Sequence, residues 1–121
     1  MATMIEILIQ NSSSLLIRLT QDIRMENAHF FLEEIKAIGD LNGKNIYLDF
    51  SKVQFVDSSG IGTLLKVATL QQRGQGSLNL VNLNRSLSNV FKLSGLFTVF
   101  QVLEKQDLSA VFPEDELQQF F

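Results

Sequence analysis

Cysteine and tryptophan are absent from the chain, and proline, histidine and tyrosine each occur once. Without a thiol there is no disulfide, no thiolate metal site and no cysteine nucleophile. A single histidine is too few for a histidine metal site. No basic run is present, base-stacking rings other than phenylalanine are nearly missing, and 10 Lys+Arg stand against 13 Asp+Glu, for a net charge of −3. Direct nucleic-acid binding is therefore disfavoured. No apolar run approaches the roughly 18 residues that cross a bilayer, so no membrane span is expected. The start, Met1-Ala2-Thr3-Met4-Ile5-Glu6, lacks the basic opening and unbroken apolar core of a signal peptide, and the expected compartment is the cytoplasm. What is present is ordinary for one soluble domain: 121 residues, 45% hydrophobic and 19% charged, enough to bury a real core.

Taken in order, Ile5, Ile7 and Ile9 alternate with less apolar neighbours, Asn11-Ser12-Ser13-Ser14 supplies turn chemistry, and Leu15-Leu16-Ile17-Arg18-Leu19 resumes an extended pattern. A hairpin is predicted. The polar link Thr20-Gln21-Asp22-Ile23-Arg24 leads to a helix that lines up Ala28, Phe31, Ile35 and Ile38, with Gly39 as its stop. A buried strand over 45–50 and a corner follow, then a helix reaching about Gln72 and closed by Gly74-Gln75-Gly76. The pattern next predicts a strand over 78–83. Asn84 caps a short helix burying Leu87, Val90 and Phe91, with Gly95 past its end. A last strand is expected over 97–103. Asp107 is positioned to cap one more turn through Leu108, Ala110 and Val111, until Pro113 resets the chain. Glu114-Asp115-Glu116 suits a helix first turn, and Phe120-Phe121 reads as the end of a docked terminal helix or, alternatively, as a partner-binding tail. Strands alternating with helices after an opening hairpin imply an α/β domain with a mixed sheet.

The chemistry concentrates at the corner Val53-Gln54-Phe55-Val56-Asp57-Ser58-Ser59-Gly60-Ile61-Gly62. An apolar extended run stops there, and Ile61, Leu64, Leu65 and Ala68 then recur at helical spacing. Asp57 and Ser58 suit the cap of the new helix, and Gly60 and Gly62 permit a tight turn and close approach. A hydrolase reading with Asp57, Ser58 and His29 fails, because the nucleophile elbow needs glycine two residues before the serine and Val56 stands there. Gly60-Ile61-Gly62 lacks the third glycine of a dinucleotide fingerprint, and no glycine precedes Lys66 as a Walker loop requires. The chain carries no catalytic constellation and no cofactor set. A serine open to modification remains: a phosphate on Ser58 gains about 0.3–1 kcal/mol from the helix N-terminus and loses a similar amount to the neighbouring Asp57. The plain alternative is a structural N-cap cluster.

The run from Leu48-Asp49-Phe50-Ser51-Lys52 through Asp57-Ser58-Ser59-Gly60-Ile61-Gly62 closely resembles the signature of the STAS domain, specifically of bacterial anti-sigma factor antagonists. The resemblance extends over the opening hairpin, the following helix, Leu78-Asn79-Leu80-Val81-Asn82-Leu83 and Val90-Phe91-Lys92-Leu93-Ser94-Gly95-Leu96. It implies a STAS domain over 1–112, with a C-terminal tail or short helix at 113–121, and a mixed sheet with helices mainly on one face. It also implies a non-enzymatic partner switch: the unmodified protein binds an anti-sigma factor serine kinase, the kinase uses ATP to phosphorylate Ser58, and a serine phosphatase reverses this. Asp57, Ser59 and Gly60 are then expected to shape the docking surface, with exposed helix positions from Ile61 onward touching the kinase. Where many antagonists carry a Gly-Glu-Leu-Asp-like loop, this chain has Gln21-Asp22-Ile23-Arg24. Arg24 in place of a carboxylate is expected to pair with Asp57 or with a phosphate on Ser58, or else to stand solvated. The alternative within the family is an unphosphorylated scaffold or ligand sensor, held in a larger complex or self-associating as a homo-oligomer.

Overall fold

The hairpin forms as expected. In the computed structural model, which describes residues 3–121, β1 (Ile5–Gln10) and β2 (Ser14–Leu19) run antiparallel. The Asn11 side chain accepts from the amides of Ser13 and Ser14 at 3.0 and 2.9 Å and so fixes the turn. The regular alternation at Ile5, Ile7 and Ile9 does not hold. A bulge between Ile7 and Ile9 shifts the register, which leaves Ile7 exposed and buries Ile9 on the far side of the sheet with Leu16 and Tyr47. Residues 1 and 2, which open the expected domain and on which part of the signal-peptide reading fell, lie outside the described residues.

Three further strands, β3 (Asn45–Asp49), β4 (Ser77–Val81) and β5 (Gln101–Leu103), add in parallel to give the sheet order β1-β2-β3-β4-β5. The parallel pairs require crossovers, and these carry α1 (Ala28–Ala37), α2 (Ser58–Arg73) and α3 (Arg85–Leu93). Period-two alternation sends Ile17, Leu48 and Leu80 into the main core under the three helices, and Leu16, Tyr47 and Val81 to the opposite face. That second face is covered by the C-terminal residues: Leu108, Phe112 and Leu117, the last from the short α4 (Glu114–Leu117), pack on it. The helices thus lie mainly on one side, with a thin lid on the other.

Several boundaries differ from the sequence reading. The fourth strand stops at Val81, because Asn82 turns with φ 61° and donates its side-chain amide to Asp49 at 2.9 Å. Val90 is exposed, and α3 buries only Leu87 and Phe91. The expected strand over 97–103 shrinks to three residues. Gly95, at φ 72°, opens a 3-10 turn over Leu96–Thr98 that the Thr98 hydroxyl closes onto the Gly95 carbonyl at 2.7 Å. Asp107 does not cap its turn from the front. It sits inside the 3-10 helix Lys105–Ala110 and accepts from the backbone of Glu104 at 2.9 Å.

Arg18, given no role by the sequence, closes the second face. Its Nε donates to Asp49 at 2.7 Å, its Nη2 donates to the Phe120 carbonyl at 2.9 Å, and its guanidinium lies 5.1 Å from the centre of the Phe121 ring. Asp49 is fully buried and also accepts from Ser51 and Asn82. Removing one member of a buried pair leaves the other charge uncompensated. Arg18→Met is therefore expected to lower the urea-unfolding free energy by about 3 kcal/mol, and Arg18→Met combined with Asp49→Leu to lose clearly less.

Candidate functional site

The corner is two loops joined edge to edge. The loop after β2 and the loop before α2 meet in an isolated parallel bridge between Ile23 and Val56, with Ile23 N donating to Phe55 O at 3.3 Å and Asp57 N donating to Ile23 O at 3.1 Å. Two carboxylates then cross the join in opposite directions. Asp22, on the first loop, accepts from the Gln54 and Phe55 amides at 2.8 and 3.2 Å. Asp57, on the second, accepts from Met25 N at 2.8 Å. Its other oxygen accepts from Gly60 N at 2.9 Å, so it is the N-cap of α2 as predicted. These amide bonds, first that from Gly60, hold the Asp57 carboxyl below its ordinary range, with the Arg24 charge adding in the same direction.

Ser58 is not a second cap. It is the first residue of α2 and its side chain is exposed, while Ser59 is half-buried and its carbonyl accepts from the Thr63 hydroxyl at 3.0 Å. Gly60 is buried, and a Cβ there would lie 2.6 Å from Val56 and 3.0 Å from Ile23. Close approach is thus real at Gly60, where the two loops and the helix meet. It is not the reason for Gly62, where an added Cβ meets nothing within 4 Å. Ile61 is half-buried at the edge of the core.

Arg24 makes neither the ion pair with Asp57 nor a merely solvated end. Its guanidinium pairs with Asp22 at 3.3 Å and lies 4.5 Å over the Phe55 ring, a planar cation on an aromatic face. Asp22 is two residues away and on the same loop, which makes it the nearer acid, while both Asp57 oxygens face backbone amides. His29 points elsewhere: it is exposed on α1 and faces Glu33 at 3.7 Å. Met25, passed over in the sequence reading, and Phe55, placed in the corner there without a role of its own, are both exposed. The amide of each donates to a carboxylate of the corner, and the one sequence signal for Met25 was apolar character between Arg24 and Glu26.

The STAS domain profile matches residues 5–109, and the chain belongs to the STAS domain family. Among its relatives, BtrV of Bordetella bronchiseptica, provisionally named an anti-sigma factor antagonist, is 27% identical over 88 residues, covering 73% of this chain and 76% of that protein. The Bacillus cell fate determinant SpoIIAA in its phosphorylated form superposes with a TM-score of 0.62 at 19% identity, over 97% of this chain and 99% of that one. The murine Slc26a9 anion transporter contains a similar fold, with a TM-score of 0.68 at 22% identity, over 78% of this chain and 16% of the transporter. Among the described residues, no helix is long and apolar enough to cross a membrane.

The two glycines of the corner are expected to respond oppositely to alanine. Gly60→Ala forces Val56 and Ile23 apart and should cost about 1–3 kcal/mol, whereas Gly62→Ala enters open space and should gain up to about 1 kcal/mol from helix propensity, both read by urea unfolding. The lowered Asp57 pKa means its ionised form stabilises the fold above the ordinary carboxylate range, and this contribution disappears as pH falls through the folded-state value. The stability gap between the native protein and Asp57→Asn should accordingly be steady between about pH 7 and 5 and close below about pH 4.

Proposed function

We propose that the protein is a non-enzymatic, cytoplasmic partner switch of the anti-sigma factor antagonist type. In this reading it binds a switch serine kinase while Ser58 is free, is released once Ser58 is phosphorylated, and is restored by a serine phosphatase. The STAS domain then runs over 1–112, and 113–121 is an appended segment closing the second face. The observation that carries the reading is the exposed Ser58 hydroxyl at the head of α2, on a corner whose other polar groups already hold one another. A phosphate there meets the favourable end of the helix dipole and the unfavourable Asp57 charge, terms of similar size. The fold is left intact while the surface gains a charge of about −1.5 to −2. Asp57, Ser59, Gly60, Ile61, Arg24 and Asp22 act around it, the first four by shaping the docking edge and the last two by fixing the charge balance beside it.

The resemblance to Slc26a9 supports a second reading, a STAS module that is never phosphorylated and works as a scaffold or ligand sensor. Incubation with the candidate kinase and ATP, followed by mass spectrometry, separates the two. Phosphate on Ser58 alone, together with roughly hundredfold weaker kinase binding by Ser58→Asp, equivalent to about 3 kcal/mol, is the expected outcome. Modification confined to other residues, or kinase binding indifferent to Ser58→Asp, contradicts the switch. A stable oligomer that is no kinase substrate favours the scaffold.

A further inference from the structure

Between α1 and α2 runs an open groove of about 490 Å³. Its floor is apolar, formed by Leu32, Leu65 and the half-exposed Leu70, and its rims carry Lys36, Lys66 and Arg73. A smaller hollow of about 220 Å³, sharing Lys36 and Leu70, continues it toward the end of α1. The three rim cations are exposed, and among the described residues the ion pairs are Arg18–Asp49, Arg24–Asp22 and His29–Glu33. No carboxylate is therefore bound to this rim. That is a local excess of positive charge on a chain whose net charge is −3.

Gly62 forms the head of the groove, and its position decides what fits. Ser58, Gly62, Leu65, Thr69 and Arg73 recur along one face of α2 at three- and four-residue steps. The groove therefore begins one turn behind the Ser58 hydroxyl and extends for roughly 17 Å, the length of about three helical turns. Two helices form its walls, and the open space over Gly62 lets a backbone approach closely.

We propose that this groove is the docking site for an acidic amphipathic helix of the partner protein, its apolar stripe on Leu32, Leu65 and Leu70 and its carboxylates on Lys36, Lys66 and Arg73. This is the helix-in-groove mode of recognition. The proposal rests on the reading of the Ser58 end as the partner face, since a helix seated here ends beside Ser58, where an added phosphate repels its acidic side chains.

The probe is a fluorescein-labelled peptide of about 14 residues with a leucine stripe flanked by glutamates, followed by fluorescence anisotropy and by amide shifts of the full chain. Binding should shift residues 32–36 and 62–73, weaken as salt screens the charges, and weaken at least about tenfold in the Lys66→Glu, Arg73→Glu variant. Equal affinity in that variant, equal binding of the same peptide with lysines for glutamates, or shifts confined to other surfaces overturns the proposal. Groove shifts that appear on concentrating the protein alone assign the site to a second copy, and displacement of the peptide by anionic lipid vesicles assigns it to a membrane surface; either overturns it as well. Mass-spectrometric readout of Ser58 phosphorylation keeps the two readings apart: normal phosphorylation of the Lys66→Glu, Arg73→Glu variant despite its lost peptide binding removes only the groove, and peptide binding by the native protein with no phosphorylation of its Ser58 removes only the kinase.

Discussion

The corner depends on two carboxylates that each hold the other's loop. Asp22 accepts from the Gln54 and Phe55 amides, and Asp57 accepts from the Met25 amide as well as from Gly60. Irregular backbone at the end of a sheet has no ladder to satisfy its N–H groups. The reciprocal arrangement supplies acceptors for four amides and fixes two segments more than 30 residues apart in sequence. The geometry of the proposed site follows from that fixation: α2 starts where Asp57 caps it, Ser58 becomes its first and exposed residue, and Gly60 is small enough to let Val56 and Ile23 close beneath it.

The proposed docking surface is a corner with little left to rearrange. The acceptor oxygens of Asp57 are occupied, Arg24 is held between Asp22 and Phe55, and the hydroxyl of Ser58 stands outside the network. Charge added at Ser58 therefore changes what the surface presents without drawing on the interactions that maintain it. The opposite face of the sheet obeys a related rule. There the partly buried Arg18, paired with the buried Asp49, reaches the Phe120 carbonyl and the Phe121 ring, and it secures the C-terminal cover over Leu16, Tyr47 and Val81.

The parts legible in the sequence were those encoded locally. Asp57 and Asn84 each cap an amide three residues on, the stripe Ala28, Phe31 and Ile35 shows itself through the period of one helix, and the strand-to-helix switch at the corner is marked by its own residues. What the sequence concealed acts at a distance. A loop aspartate such as Asp22 has no spacing that points to amides at 54 and 55, and Arg18 alternates along β2 like any solvent-facing residue until the C-terminal segment folds over it. The apolar run after Gly95 misled for a different reason. Extended and 3-10 backbones tolerate the same side chains, and it was the positive φ of Gly95 and the Thr98 hydroxyl bond that selected the turn. Arg24 was singled out for the right loop but the wrong acid, since the bonds that occupy Asp57 come partly from Met25, on the far side of the join.

The central claim is that Ser58 is a charge switch on a prefixed surface, one that alters binding and leaves the fold alone. The most direct measurement is a backbone amide shift map of the protein stoichiometrically phosphorylated at Ser58, compared with the unmodified form and paired with urea unfolding. The account predicts shifts confined to residues 22–25 and 54–62 and an unfolding free energy unchanged within about 0.5 kcal/mol. Shifts spreading through the sheet, or a stability change of several kcal/mol, would contradict it.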